Sequence, residues 1–248
     1  MNQPNMNIRL LILAPLLLAL AACTGDAYTE LQLASSRGQA DMVAVMLEKG
    51  ADVNEANKHG KTPLMLAAGN GRVEATKILL KHNAAIDAQD IDGMTALMMA
   101  ASDGQTETVK ILIENGANVN AQNKYGATAI TNAAFFNHID ALKALFASKT
   151  EIDQATNENA LLISAGLGNN DILKLILDYG VDVNARGKKG RTTLMAAVEF
   201  EHPATVRLLL ENGADPKARD SEGNSVLAIA EDEGNSTITE MIREAVSK

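Results

Sequence analysis

Four histidines and one cysteine are the side chains of this sequence best suited to bind a metal or act as a nucleophile. The histidines are His59, His82, His138 and His202, and none stands in the His-Glu-x-x-His spacing that puts two ligands on one helix face. No Gly-x-Ser-x-Gly segment occurs, nor a glycine loop followed by Lys-Ser or Lys-Thr. We therefore expect no catalytic residues, no metal site and no cofactor, and we expect the histidines to be solvated loop residues.

The single cysteine, Cys23, follows an apolar run of thirteen residues, 10–22, that itself follows Arg9. At ~1.5 Å per residue the run is too short for the ~30 Å hydrocarbon core of a bilayer, and its layout is typical of a secretion signal. Its end, Leu20-Ala21-Ala22-Cys23, resembles the lipobox of bacterial lipoproteins. That resemblance implies a signal peptide over 1–22 and lipidation, including palmitate, at Cys23. The alternative is ordinary secretion, with cleavage after the small-x-small segment Ala19-Leu20-Ala21.

The lipoprotein resemblance also implies a location. Thr24, directly after the cysteine, permits sorting to the outer membrane, so the protein is expected in the periplasm, lipid-anchored to that membrane. Residues 23–27 form a short tether that spans at most roughly 17 Å when extended. The rest of the chain has no cysteine, so no intramolecular disulfide can form.

The rest of the chain repeats one pattern, Thr-x-Leu-x-x-Ala, seen most clearly in Thr62-Pro63-Leu64-Met65-Leu66-Ala67. Its aligned apolar residue recurs at intervals of 33, 33, 33, 31, 33 and 33 residues: Leu31, Leu64, Leu97, Ile130, Leu161, Leu194 and Leu227. A fixed period of this length predicts an elongated array in which each unit packs on its neighbours. The array covers 28–248, with repeats at 28–57, 58–90, 91–123, 124–154, 155–187, 188–220 and 221–248.

Each unit contains two apolar stripes at helical spacing, separated by turn residues. A threonine before the first stripe can cap a helix, as at Thr62, Thr95, Thr128 and Thr192. A glycine or asparagine after the second stripe fits a left-handed helix end: Gly50, Asn83, Gly116, Gly180 and Gly213. We therefore predict a hairpin, a helix, a turn and a second helix in every unit.

The period, the turn glycines and the Thr-Pro-Leu segment together resemble the ankyrin repeat. The resemblance implies an all-α-type repeat solenoid, an ankyrin array of about seven helix-turn-helix units joined by short β-hairpin loops. One departure is the family's histidine after the leucine, which is absent here and implies looser connections between loops. A second is the fifth unit, which is two residues short and has lost its turn glycine, so that 152–160 should form a stunted hairpin beside a notch or a change of curvature.

Composition limits the partners. The chain has 31 acidic and 22 basic residues, a formal net charge of −9, whereas nucleic-acid binding depends on Lys and Arg that neutralise phosphates. Removal of 1–22 would delete one base, Arg9, and no acid, leaving 21 bases against 31 acids and a net charge of −10. We therefore expect a protein partner and no nucleic acid.

The ankyrin resemblance implies that this partner contacts hairpin tips and the exposed side of the first helices. Three of the four phenylalanines fall on such positions, in repeats four to six, and aromatic side chains are enriched at binding hot spots. The predicted partner-binding residues are Tyr125, Phe135, Phe136, Leu167, Phe200, Lys188, Lys189 and Arg191. Phe146 falls on a core stripe instead. The alternative is that the phenylalanines fill space left by the short hairpin and that the bases are merely solvated.

These observations favour a monomeric, non-enzymatic module that binds a protein. A resemblance to bacterial ankyrin lipoproteins that neutralise secreted lipase-type toxins implies an immunity protein, whose partner would be a secreted phospholipase or lipase effector. The alternative is a general envelope scaffold or stress-related periplasmic protein. A toxin-specific binder should have one tight partner, whereas a scaffold should have several weak ones.

Overall fold

The computed structural model describes residues 28–148 and 152–248, which contain fourteen α-helices in seven antiparallel pairs. The predicted signal peptide, the tether and lipidated Cys23 lie outside the described residues. The helix pairs, in chain order, are α1 (Glu30–Arg37) with α2 (Ala40–Glu48), α3 (Pro63–Gly69) with α4 (Val73–Lys81), α5 (Ala96–Ser102) with α6 (Thr106–Glu114), α7 (Ala129–Phe135) with α8 (Ile139–Phe146), α9 (Gln154–Gly166) with α10 (Asn170–Asp178), α11 (Thr193–Glu199) with α12 (Pro203–Glu211), and α13 (Val226–Glu233) with α14 (Ser236–Ser247).

Local sequence sets where the first helix of a unit begins and where the second ends. The hydroxyl oxygens of Thr62, Thr95, Thr128 and Thr192 each accept a hydrogen bond from the backbone N–H three residues later, which pairs a donor that the helix leaves free. The second residue beyond the second helix takes positive φ in five units, four times as glycine and once as Asn83 (φ 61°). Both kinds of helix boundary were predicted from the sequence.

The helices form two layers. First helices stack on the first helices of neighbouring units, and second helices stack likewise. The small residue three positions after the aligned leucine is completely buried in repeats two to four, as Ala67, Ala100 and Ala133, which lets neighbouring helices approach closely. The core between the layers is built from Leu, Ile, Val, Ala and Met. The predicted ankyrin solenoid is therefore confirmed.

The tips between units are tight turns, and hydrogen bonds join successive tips. The N–H of Ile91 donates to the His59 carbonyl (3.0 Å), that of Lys124 to Asp92 (2.9 Å), and that of Ser221 to Lys189 (2.8 Å). Two tips also carry an isolated antiparallel bridge, Arg186 with Thr192 and Arg219 with Ser225. Backbone groups thus join neighbouring loops although the family's histidine is absent from the helices that follow them.

The fifth unit differs from the prediction. Instead of a stunted hairpin, its first helix α9 runs over 13 residues, Gln154–Gly166, where the other first helices have seven or eight. Asn120 and Asp153 mark equivalent points, because Val119-Asn120 and Ile152-Asp153 are the matching apolar-polar pairs of consecutive units. Ile130 follows Asn120 by ten residues, but Leu161 follows Asp153 by only eight. Eight residues without a glycine are too few for an outward and return strand, so this segment becomes helix.

The prediction that the histidines are solvated loop residues is wrong for His138 and His202. Both are half-buried, and each Nε2 lies 2.9 Å from a carbonyl oxygen of the preceding unit, that of Ser102 or of Gly166. A carbonyl can only accept, so Nε2 carries the proton. Each histidine directly precedes a second helix and follows its acceptor residue by 36 positions. This constant separation is the feature of the sequence from which the two contacts could have been predicted.

The last tip gives a prediction about pH. A hydrogen bond from the Asn224 side chain (3.0 Å), together with backbone N–H groups of Glu222 and Asn224 and the nearby Arg191, lowers the pKa of Asp220. Its stabilising effect should therefore be complete above about pH 4 and lost as pH falls through the lowered pKa.

We expect Asp220→Asn to unfold at lower urea concentration than the wild type at pH 7, and the difference to shrink below about pH 4. Asn57 accepts the same pair of turn bonds elsewhere in the array, so the variant keeps the turn. Asp220→Ala is the control, because it also loses the turn bonds and should stay less stable at both pH values. An Asn variant with a constant deficit from pH 7 to pH 2 would contradict the prediction.

Candidate protein-binding surface

Three consecutive units place an apolar side chain where the first helix ends. Phe136, Leu167 and Phe200 are the C-terminal capping residues of α7, α9 and α11, and they are 53%, 41% and 60% exposed. Phe135, the last residue of α7, is 52% exposed. We call Phe135, Phe136, Leu167 and Phe200 the apolar row.

Stacking of the first helices brings the apolar row together. α9 packs directly against both α7 and α11, and packed helices lie ~8–10 Å apart. The row therefore extends over roughly 20 Å on one side of the array. The same position in repeats two and three holds Asn70 and Asp103, and in repeat seven Glu233, so the row is confined to repeats four to six.

Contacts at the surface hold the rings of the row in place. Phe135 and Phe136 pack edge to face, with ring centroids 5.0 Å apart. A Cβ built on Gly166 would lie 3.3 Å from Cδ2 of Phe200, so that ring rests on the preceding unit. Each ring nevertheless keeps half or more of its surface exposed, and such partly ordered aromatic side chains lose little conformational freedom on binding. Their exposure does not fit the alternative in which they fill the space of the missing hairpin.

Phe146 behaves as the sequence predicted. It is 9% exposed, and its ring stacks on that of Tyr179 with centroids 4.3 Å apart. This contact joins second helices α8 and α10, on the layer opposite the apolar row. Phe146 is therefore a structural residue.

The structure does not bring Tyr125 next to the apolar row. Tyr125 is 80% exposed on the tip that precedes α7, whereas Phe135 ends that helix. Seven helical residues separate the two positions by about 10 Å along the axis. Lys188, Lys189 and Arg191 lie in the same way on the tip before α11. The predicted residues thus form two sets, one at the tips and one at the helix ends, and the Arg191 side chain reaches from its tip to Glu199 beside Phe200.

Two of the three predicted bases are already paired within the array. Lys189 Nζ lies 3.1 Å from Glu222 Oε1, and Arg191, the least exposed of the three, pairs with Glu199 and lies 3.9 Å from Asp220. Sequence reasoning missed these acids, although Glu222 follows Lys189 by one period of 33 residues. Lys188 is exposed and has no carboxylate partner among the described residues, so it is the base most open to a partner.

No other kind of site emerges. Within residues 28–148 and 152–248, no three His, Cys, Asp or Glu side chains come together as a metal site would require. In the same ranges, no helix has both the length and the apolar character needed to cross a bilayer.

Comparison with known proteins agrees with this architecture. The family described as "Ankyrin repeats (3 copies)" matches residues 8–90, 84–156 and 148–220. Among solved structures, the chain is similar to the human ASB11 ankyrin repeat domain, with 24% identity and a TM-score of 0.75 over 88% of this chain and 98% of that one. It is also similar to the ankyrin repeat domain of Bcl-3, a member of the IkappaB family, with 22% identity and a TM-score of 0.76 over 88% and 99%. No curated protein matches. The chain belongs to the ankyrin-repeat family.

Proposed function

We propose that this chain is a lipid-anchored periplasmic protein that binds one protein partner through the apolar row. Ankyrin repeats indicate a protein–protein interaction module. The observation that carries the finer proposal is the confinement of the exposed Phe and Leu side chains to three adjacent units. Clustered aromatic anchors dominate the binding energy of many interfaces, and a partner that covers this row must present an apolar patch of its own.

The confinement of the row also favours one partner over several. A general scaffold needs separate surfaces for separate proteins, but the equivalent positions in repeats two and three are polar. The surrounding array is acidic overall, and like-charge contacts discourage other acidic proteins from binding.

The sequence of the first 23 residues supports the location. Lipidation at Cys23 would place the array at the periplasmic face of the outer membrane, since helix α1 begins at Glu30, only seven residues later. Tethering raises the local concentration of a binder where its target acts. This arrangement suits an immunity protein that neutralises a secreted lipase or phospholipase, an enzyme that works at membranes.

A pull-down from envelope extracts tests the function. The bait is the mature chain from Cys23, and bound proteins are identified by mass spectrometry. We expect one dominant partner, and a lipase in that band would support immunity, which a growth-protection assay against the enzyme can then check. Many weak partners of similar abundance would instead support the envelope scaffold.

Replacement of the cysteine tests the anchor. We expect Cys23→Ser to abolish incorporation of labelled palmitate and to move the protein from the membrane fraction to the soluble fraction, because the acyl chains contribute about 0.8 kcal/mol per buried CH₂. Thr24→Ser is the matched control and should remain labelled and membrane-bound. Labelling that persists in the Cys23→Ser protein would contradict lipidation at this residue.

A further inference from the structure

The tips of this array bond to one another in a fixed register. The N–H of one tip residue donates to a carbonyl of the preceding tip, as from Ile91 to His59, from Lys124 to Asp92 and from Ser221 to Lys189. Neighbouring tips are also in close contact, because a Cβ built on Gly60 or Gly93 would lie 3.0 Å from the backbone of the next tip. Each tip therefore covers the one before it.

The fifth unit has no tip, because its residues form the extended start of α9. The fourth tip is consequently uncovered, and a Cβ built on Gly126 would meet nothing within 4 Å, as at Gly223 in the last tip. Tyr125 holds the register position of Asp92 and Lys189, yet its carbonyl accepts no hydrogen bond from the described residues. The N–H of Lys188, in the register position of Lys124 and Ser221, likewise donates to none of them.

The missing tip thus leaves a free acceptor on one side of a gap and a free donor on the other. Successive units are ~8–10 Å apart, so the fourth and sixth tips are separated by about two such steps, and the unit between them contributes the start of α9 instead of a tip. We call the space between Tyr125 and Lys188 the tip gap.

The charges beside the tip gap favour an acidic occupant. Lys124 and Lys188 are both exposed, and neither has a carboxylate partner among the described residues. Glu158, on the extra helical part of α9, is bonded to Gln154 (2.6 Å). The seventh tip shows how an acidic turn docks on a basic one, since its Glu222 pairs with Lys189 (3.1 Å) while Ser221 bonds to the Lys189 carbonyl.

We propose that the tip gap receives an acidic, glycine-containing β-turn of the protein partner, which completes the row of tips. The turn donates a backbone N–H to the Tyr125 carbonyl and accepts a hydrogen bond from the Lys188 N–H. Recognition through such main-chain hydrogen bonds is a general mode of peptide binding. Its carboxylates face Lys124 and Lys188, and the Tyr125 ring lies against it. This inference rests on the proposed function, because it specifies a second contact with the same partner.

A cyclic peptide with the sequence of residues 219–225, the acidic seventh tip, is the probe. The peptide is labelled with fluorescein, and its fluorescence anisotropy is measured as the full chain is added up to about 1 mM. We expect saturable binding. We expect none when the eight residues 153–160 are replaced with the ten-residue sequence of 217–226, which restores the period of 33 and a tip in the fifth unit.

A second variant covers the case in which the insertion misfolds. Lys124→Glu combined with Lys188→Glu changes only exposed side chains and should weaken peptide binding at least about fivefold at low salt. Alanine at Phe135, Phe136 and Phe200 should leave peptide binding unchanged. The role of the apolar row in binding the partner is therefore tested separately from the role of the tip gap. Absence of saturable binding, or equal binding by the charge-reversed variant, would overturn the proposal. Concentration-dependent dimers of the full chain that the tip insertion abolishes would overturn it too, by showing that a second copy fills the gap.

Discussion

Alanine at Phe135, Phe136 and Phe200 together should weaken binding of the captured partner at least about 100-fold and leave the thermal unfolding midpoint within a few degrees. Hot-spot aromatic residues contribute about 2 kcal/mol or more each when truncated, although such contributions are not additive. Stability should change little, because each ring is more than half exposed in the free protein. Surface plasmon resonance with the immobilised partner gives the affinity, and circular dichroism gives the midpoint.

Ile91→Ala is the matched control for truncation of an exposed apolar residue. Ile91 is 48% exposed but lies on the tip before α5, away from repeats four to six. It should retain wild-type affinity. If the triple variant binds normally, the apolar row is not the interface. If its midpoint falls sharply, the rings are structural, as in the alternative interpretation of the sequence.

Leu161→Ala should lower the free energy of unfolding by about 2–5 kcal/mol, the range for a large-to-small change in a closed core. Leu161 is completely buried in α9, which packs on α7 and α11 as well as on its own partner α10. In a repeat array stability is carried by units and by their interfaces, so a cavity in the fifth of seven units weakens contacts on both sides. Urea unfolding followed by circular dichroism measures the loss.

Leu167→Ala makes the same chemical change at the end of the same helix. Its side chain is 41% exposed, so we expect a loss below about 1 kcal/mol. An equal loss of unfolding free energy in both variants would mean that the burial of the leucine side chain does not determine the size of the loss. If the single unfolding transition of the wild type becomes two transitions in Leu161→Ala, the fifth unit couples the parts of the array on either side of it.

The tip gap and the apolar row could be predicted from the sequence to different extents. The apolar row follows from register alone, because one position of a known repeat can be compared across units. The tip gap could be predicted only as an irregularity, since a two-residue deletion does not say whether a hairpin shrinks or disappears. In the structure the seven residues between Asp153 and Leu161 are helical, and the Tyr125 carbonyl is therefore left without a donor among the described residues.

The sequence by itself determined the seven units, the threonine caps and the ends of the second helices, because these depend on the period and on interactions a few residues long. It also determined that Phe146 is buried, since that residue lies on an apolar helical stripe. Only the tertiary structure decided which side chains meet across units and within a unit. His138 bonds to the carbonyl of Ser102, Arg191 pairs with Glu199 and approaches Asp220, and Tyr125 is held a helix length from Phe135. Such contacts join groups that the chain separates by up to 36 residues, and only the packing of the helices and tips sets the distances between them.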